Sequence, residues 1–169
     1  MSYCSYCKTQ PESSMHRWYH DKVYGRMSKN DNELFGRLLM EISQAGLSWD
    51  IVLNKYEGIK SAYSDFDIKK ISQYSEADIA SLMNNKNIIR HELKIRSAIF
   101  NANKILKIQE EFGTFKAWIL ENRQNSIENW TKLFKKNFKF VGKEIVNEFL
   151  LSNGIIEGAH DKACPLYTK

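Results

Sequence analysis

The 169-residue sequence predicts an all-α protein built as one domain, and three observations carry that prediction. Apolar residues recur at helical rather than alternating spacing along most of the chain. Ser, Thr, Asn or Asp stands ahead of most of these runs, where helix caps belong. Gly and Pro number only 8 and 2, which leaves little material for long irregular loops. A chain of this length buries roughly 70% of its unfolded surface and needs no disulfides to fold.

Taken in order, residues 1–30 show no sustained periodicity but are dense in Tyr, Trp, His and Cys, so they are expected to wrap onto the body and help line a site. After an Asn30–Asp31 start signal, Leu34, Phe35, Leu38, Leu39 and Ile42 form the stripe of a helix that carries Glu41 near its end. Gly46 interrupts the pattern. Ser48 can cap the next helix, with Asp50 in its first turn and Val52, Leu53, Tyr56 and Ile59 facing inward. An acid, Glu41, and an indole, Trp49, are thus held near one corner, which is either the wall of a pocket for a flat cation or an ordinary turn between packed helices.

Asp67 opens a short turn, and Ser75 to Asp78 resembles a capping box, with Asp in place of the usual Glu or Gln, ahead of Ile79, Leu82 and Met83. A polar run, Asn84 to Asn87, precedes the longest pattern. There Ile95, Ala98, Ile99, Ala102, Ile105 and Leu106 make one core stripe that stops at Gly113, and His91, Glu92 and Lys94 at its start read as a solvated turn. Thr114 caps a short helix through Trp118 and Leu120, and Ser126 caps another containing Ile127, Trp130, Leu133 and Phe134, both tryptophans being core. A last helix carries Ile145, Val146, Phe149 and Leu150 and stops at Gly154, leaving residues 155–169 irregular.

Composition narrows the function classes. No run of ~18 apolar residues is present to span a bilayer, and the opening Met1-Ser2-Tyr3-Cys4 lacks a signal-peptide pattern, so a cytoplasmic protein with no membrane partner is expected. Three cysteines, an odd number, argue against a disulfide framework. The net charge of +5 is uneven: residues 1–86 hold 11 basic and 11 acidic side chains, residues 87–169 hold 14 and 9. Lys132, Lys135, Lys136, Lys139 and Lys143 form a cluster without an intervening acid, either a solvated face or a surface for a polyanion.

Three constellations could carry chemistry. Two helices joined by the tight 138–142 connection form a helix-hairpin-helix candidate within residues 126–153, in which Gly142 would let a phosphate approach the free N–H groups of the following helix. His160 and Cys164, at His-x3-Cys spacing, could meet Cys4, Cys7, His16 or His20 at a metal joining the two ends of the chain, or be unrelated to them. Tyr3, Tyr6, Trp18, Tyr19, Tyr24 and Trp49 could stack on a base or pack in a core. No Gly-rich phosphate loop or Ser-His-Asp arrangement is evident. No second acid is visibly paired with Glu41.

Several pieces occur together in one order over nearly the whole chain: Tyr19-His20-Asp21 with Tyr24-Gly25, Glu41 followed by Gln44-Ala45-Gly46-Leu47-Ser48-Trp49, Ile88-Ile89-Arg90-His91 with Lys94-Ile95, Asn101-Ala102, Phe138-Lys139-Phe140-Val141-Gly142, and His160-x3-Cys164. In these the chain resembles DNA-3-methyladenine glycosylase I, the zinc-containing branch of the helix-hairpin-helix glycosylases, although its 112–137 segment is shorter than usual there. The resemblance implies a helix-hairpin-helix glycosylase-like bundle over residues 1–169, whose terminal segments 1–30 and 155–169 are stapled by one structural zinc per chain on Cys4, His20, His160 and Cys164.

The resemblance also implies that Glu41 is the base-binding, catalytic acid and that Tyr19 and Trp49 are stacking aromatics. Tyr6 and Tyr24 stand where tryptophans are usual, His16 where a tyrosine is usual, and Ile42 and Ser43 in place of a Gly and a polar partner. Lys136, Lys139, Gly142 and Lys143 would touch DNA. The implied function is a monofunctional glycosylase, acting as a monomer on double-stranded DNA containing alkylated bases, that releases the cationic purine N3-methyladenine. The alternative is a zinc-stapled binder of damaged or distorted DNA that cuts no bond.

Overall fold

Residues 2–167 are described by a computed structural model, and among them the chain forms eleven α-helices and no strand. Met1, Thr168 and Lys169, the outermost residues of the two expected terminal segments, lie outside the described part. Also among the described residues, no helix is long and apolar enough to cross a membrane.

The centre of the fold is α3 (Asp31–Gln44), whose Leu34, Phe35, Leu38, Leu39 and Ile42 are buried as the sequence periodicity predicts. Asn30 caps it by accepting from the Glu33 N–H. Asp31 does more than start the helix: its carboxylate accepts from Gln109 and from the free N–H groups of Phe115 and Lys116, so it also holds the N-terminus of α9 (Phe115–Glu121). Around α3 pack α8 (Glu92–Phe112) and α11 (Lys143–Ser152), with α10 (Ile127–Asn137) against α11. Trp118 and Trp130 are core residues, joined edge to face with Phe134 and Phe138.

Several sequence-predicted caps are in place. Ser48, Thr114 and Ser126 cap α4 (Trp49–Asn54), α9 and α10, and Ser75 with Asp78 closes a reciprocal capping box on α7 (Glu76–Asn84), while Asp67, expected to open a turn, caps the short helix α6 (Ile68–Ser72). Gly113 ends α8 at φ +82°, a conformation that glycine adopts without a Cβ penalty.

Three local readings are corrected. Residues 1–30 are not irregular: they contain α1 (Tyr3–Thr9) and α2 (Met15–Lys22), capped by Ser2 and Ser14. Both are at most eight residues long and bury Cys, His and Tyr, so they present no aliphatic stripe to a periodicity test. The helix expected from Ser48 to Ile59 is divided at Lys55 into α4 and α5 (Tyr56–Ala62). Finally, His91 and Glu92 are exposed as expected, but residues 91–94 start a helix rather than a turn, and Lys94 is not solvated. His91 is the N-cap of α8, and Lys94 is buried with its ammonium donating to the carbonyls of Ser43 and Ala45 at the end of α3.

The first thirty residues are tied to the body by backbone and side-chain hydrogen bonds. The Gly25 N–H donates to Ser152 O at 2.9 Å, Ser28 donates to Asn153 at 2.6 Å, and Arg37 donates to the carbonyls of Val23, Arg26 and Ser152. These bonds set α2 beside α3 and α4, and the pocket forms between them.

Candidate active site and metal cluster

Glu41 lies on the last full turn of α3, and only 5% of it is exposed. It faces a cavity of about 210 Å³ together with the rings of Tyr3, Tyr19, Tyr24 and Trp49 and the polar groups of Gln44 and Glu148. The corner foreseen in the sequence is therefore a pocket. Gly46, at φ +79°, turns the chain between α3 and α4 so that Trp49 returns over the end of α3. Tyr19 meets Trp49 edge to face at 5.1 Å and lies tilted against Tyr24 at 5.8 Å, while Tyr3 meets Tyr24 edge to face at 5.4 Å. Such aromatic contacts, each worth about 0.5–1.5 kcal/mol beyond area burial, hold the rings of the pocket wall in place.

Electrostatically the pocket is acidic. Burial, reinforced by the neighbouring Glu148 charge, pushes the Glu41 carboxyl up to about 8. Burial also pushes Glu148 up and holds the Tyr3, Tyr19 and Tyr24 hydroxyls protonated far above neutrality. Tyr24 donates to Glu148 at 3.4 Å. The nearest cation, Arg37, is spent on three carbonyls and on Glu33, 3.0 Å away.

A larger cleft of about 420 Å³ opens on the other side of Tyr19, between Trp18, Tyr56, Phe66 and the Arg37–Glu33 pair. There Arg37 and Glu33 pair with each other, and Lys29 and Lys60 add positive charge, so the cleft is not built for a cation. The smaller pocket is the better candidate because it holds a buried acid with no matching cation.

Of the sequence-predicted pocket residues, Tyr19, Tyr24, Glu41 and Trp49 come together, whereas Tyr6 and His16 stand outside the lining. Tyr6 packs edge to face on His16 at 5.0 Å. His16 reaches the pocket only through Tyr3, whose hydroxyl is 3.2 Å from its Nδ1, and its Nε2 lies 3.3 Å from Asp50 without the alignment of a hydrogen bond. The sequence shows no second acid paired with Glu41, and the structure brings Glu148 to the same cavity from α11. A signal for it existed, since position 148 lies three residues after Ile145 on the border of the apolar stripe.

At the junction of the chain ends, Cys4, His20, His160 and Cys164 are all buried, and their ligand atoms lie within 4.8 Å of one another. This tetrad could hold a metal ion. Its outer shell is also built: His20 Nδ1 is 2.7 Å from the Asp21 carboxylate and His160 Nε2 is 3.0 Å from Tyr24 O, which turns the opposite ring nitrogens toward the cysteines. The Asp161 N–H donates to Cys4 Sγ. Cys7, fully buried, turns away and donates to His16 O, so neither it nor His16 joins the tetrad.

The hairpin lies across the pocket end of α8. Asn101 clamps it by accepting from Lys139 N at 2.7 Å and donating to Lys139 O at 3.1 Å. Lys136, Lys139 and Lys143 are exposed, Lys143 being 3.5 Å from the equally exposed Glu128. Gly142 caps α11 at φ −99°, so its backbone does not require glycine, but a side chain there would meet nothing within 4 Å. The helix N-terminus is open. Phe140, at φ +59°, takes the left-handed position in the loop.

The description "Methyladenine glycosylase" belongs to the family profile that matches residues 8–132. A protein of Haemophilus influenzae named "DNA-3-methyladenine glycosylase" is 31% identical, the alignment covering 96% of this chain and 97% of that protein. "DNA-3-methyladenine glycosylase 1" of Escherichia coli strain K12 is 31% identical over 88% and 89% of the two chains. Among solved structures, a 3-methyladenine DNA glycosylase I variant in complex with 3-methyladenine superposes with a TM-score of 0.89 at 29% identity, covering 100% of this chain and 99% of its own.

Proposed function

This chain belongs to the methyladenine glycosylase family, and from that premise we propose that it is a monofunctional DNA glycosylase that hydrolyses the N-glycosidic bond of N3-methyladenine. The observation that carries this reading is the buried, cation-free Glu41 in an aromatic pocket. The relatives' names favour excision over binding without cleavage.

The chemistry follows from the charge of the substrate. N3-methylated adenine in DNA is already a cation, so it can depart without being protonated. Flipping it out of the duplex costs a few kcal/mol, and removal of the base to a protein pocket must recover that cost. Tyr19 and Trp49 present their faces to the ring, each such contact with a desolvated cation being worth about 2 kcal/mol. Ionised Glu41 accepts from the exocyclic amine and favours the charged ring over neutral adenine. As the bond from C1′ to N9 breaks, its electron pair moves onto the base and neutralises it. A water oxygen bonds to C1′, loses a proton and leaves an abasic site. The reading assigns no lysine as a Schiff-base nucleophile, so the strand is not cut.

DNA is held, in this reading, by Lys136, Lys139 and Lys143 and by the open N-terminus of α11 at Gly142, through phosphate contacts that carry no sequence information. The protein acts as one unit and as a monomer.

The metal of the tetrad is proposed to be a single structural zinc. A tetrahedral zinc with bonds of about 2.3 Å to sulfur and about 2.0 Å to nitrogen sets its ligands about 3.5 Å apart. Cys4 Sγ to His160 Nδ1 is 3.6 Å, Cys164 Sγ to His20 Nε2 is 3.7 Å, and Cys164 Sγ to His160 Nδ1 is 3.8 Å, so the donor set fits. When bound, zinc supplies the positive charge that keeps the two thiols ionised despite burial.

The test is base release: methylated duplex DNA is incubated with the protein and the freed bases are separated by chromatography. Release of N3-methyladenine is expected, and tight binding to the DNA with no base released would select the binding-only reading.

A further inference from the structure

Glu41 and Glu148 approach the same 210 Å³ cavity from two different helices, α3 and α11. Glu148 is half-buried, and the Tyr24 hydroxyl donates to its Oε2, which holds the carboxylate at the pocket wall. Two ionised carboxylates around one small cavity repel each other, so the pair either keeps a proton or takes a cation between them. The protein supplies none. Arg37, a turn before Glu41, already serves three backbone carbonyls and Glu33. The remaining titratable groups facing the pair are Tyr3 of α1, Tyr19 of α2 and Tyr24, whose hydroxyls burial keeps neutral, and Glu144 on the exposed side of α11, which adds negative charge. The counter-cation therefore has to come from the ligand.

We propose that Glu148 is a specificity-determining residue of this pocket: with Glu41 it forms an anionic pair that admits a positively charged purine and rejects the neutral one. The inference rests on the pocket being a site for a cationic base and adds a second acid to it. In the free protein the pair keeps one proton around neutral pH, because both carboxyls titrate above their usual range. An entering cation replaces that proton, so its affinity rises with pH while the affinity of a neutral purine does not.

Two small ligands test this on the full chain. 3,9-Dimethyladeninium is a permanent cation with a methyl group in place of the sugar, and 9-methyladenine is its neutral counterpart. Titration calorimetry of both between pH 6 and 9 gives the cation-over-neutral preference of the wild type and of Glu148→Gln. The glutamine still accepts from Tyr24, so binding of 9-methyladenine reports that the pocket is intact. The variant is expected to lose about tenfold of the preference, the scale of one charge at close range, and to reach its full cation affinity at a lower pH, since Glu41 no longer faces a second charge. Glu148→Asp, which restores the charge, should recover most of the preference. A wild type that prefers the cation together with an unchanged preference in Glu148→Gln would overturn the role of Glu148 alone. A wild type with no preference would overturn the cationic-base reading of the whole pocket.

Discussion

The Lys94 ammonium donates to the Ala45 carbonyl at 2.7 Å, and to Ser43 O at 3.0 Å, across a separation of about fifty residues in sequence. These are free carbonyls at the C-terminus of α3, where the helix dipole is negative and a cation is stabilising. Burial pulls the Lys94 pKa down, yet the two carbonyls hold it in place. The bond fixes the turn from Glu41 to Trp49 onto α8. Lys94→Met should leave both acceptors unsatisfied and destabilise the fold by about 1–3 kcal/mol. Because Trp49 then moves relative to Glu41, excision from methylated DNA should fall more than the stability loss explains at a temperature where the variant is fully folded. Urea unfolding and single-turnover base release measure the two separately, and unaltered release would remove Lys94 from the support of the pocket.

Glu41 makes a stability prediction independent of catalysis. Its folded-state carboxyl titrates near 8 against an ordinary value of 4.5, so the native state holds the proton more tightly than the unfolded chain does. The stabilising proton is fully present below about 4.5, and stability falls as pH rises from there through 8, by up to roughly 4–5 kcal/mol for this one group. Glu41→Gln cannot ionise and should remove that fall. The variant should therefore be more stable than the wild type at pH 8.5 and similar to it at pH 4.5, while base release is lost. Thermal unfolding across pH reads the difference, and parallel curves for the two proteins would mean that Glu41 is solvated in solution.

Metal removal should act on the ends of the chain before the core. The tetrad joins α1 and α2 to residues 160–164, whereas the packing of α3, α8 and α11 does not pass through it. Metal analysis is expected to find one zinc per chain. Chelation, or His160→Ala, should lower the unfolding temperature and release amide protection in residues 3–22 and 155–165, with α8 still protected. Equal loss of protection in α8 would show that the metal supports the whole fold.

How much of this was legible in the sequence depended on which physical signal each element carries. The aliphatic stripes of α3 and α8 and the caps Asn30, Ser75 and Thr114 announce themselves locally, and the helices lie where these signals put them. α1 and α2 did not, because their buried faces are Cys, His and Tyr serving the metal cluster and the pocket rather than aliphatic core. Glu148 passes unremarked in the sequence and Lys94 is expected in solvent for a related reason. Charged side chains are expected in water unless paired, and the partners that retain these two, Tyr24 and the end of α3, lie over fifty residues away or more than a hundred. Tyr6 was placed in the pocket by resemblance of position, but α1 points Tyr3 there instead.

If the loop between α10 and α11 holds DNA as proposed, affinity and its geometry can be separated there. Lys136 and Lys139 are exposed, and Lys139 also lies over the Phe100 ring at 5.1 Å, so their side chains can be removed without opening the core. If each neutralises one phosphate, Lys136→Ala with Lys139→Ala should weaken binding to any duplex and reduce the slope of log affinity against log salt by about 2. Asn101 is different. It is fully buried and clamps both backbone groups of Lys139, so Asn101→Ala leaves every surface charge in place while freeing the loop between α10 and α11. That variant should keep the salt slope and lose affinity by a constant factor, because the phosphate is still met by the same charges but the α11 N–H groups are no longer held toward it. Fluorescence titrations over a range of salt distinguish the two variants. An unchanged slope in the double lysine variant would place the DNA on another face of the protein.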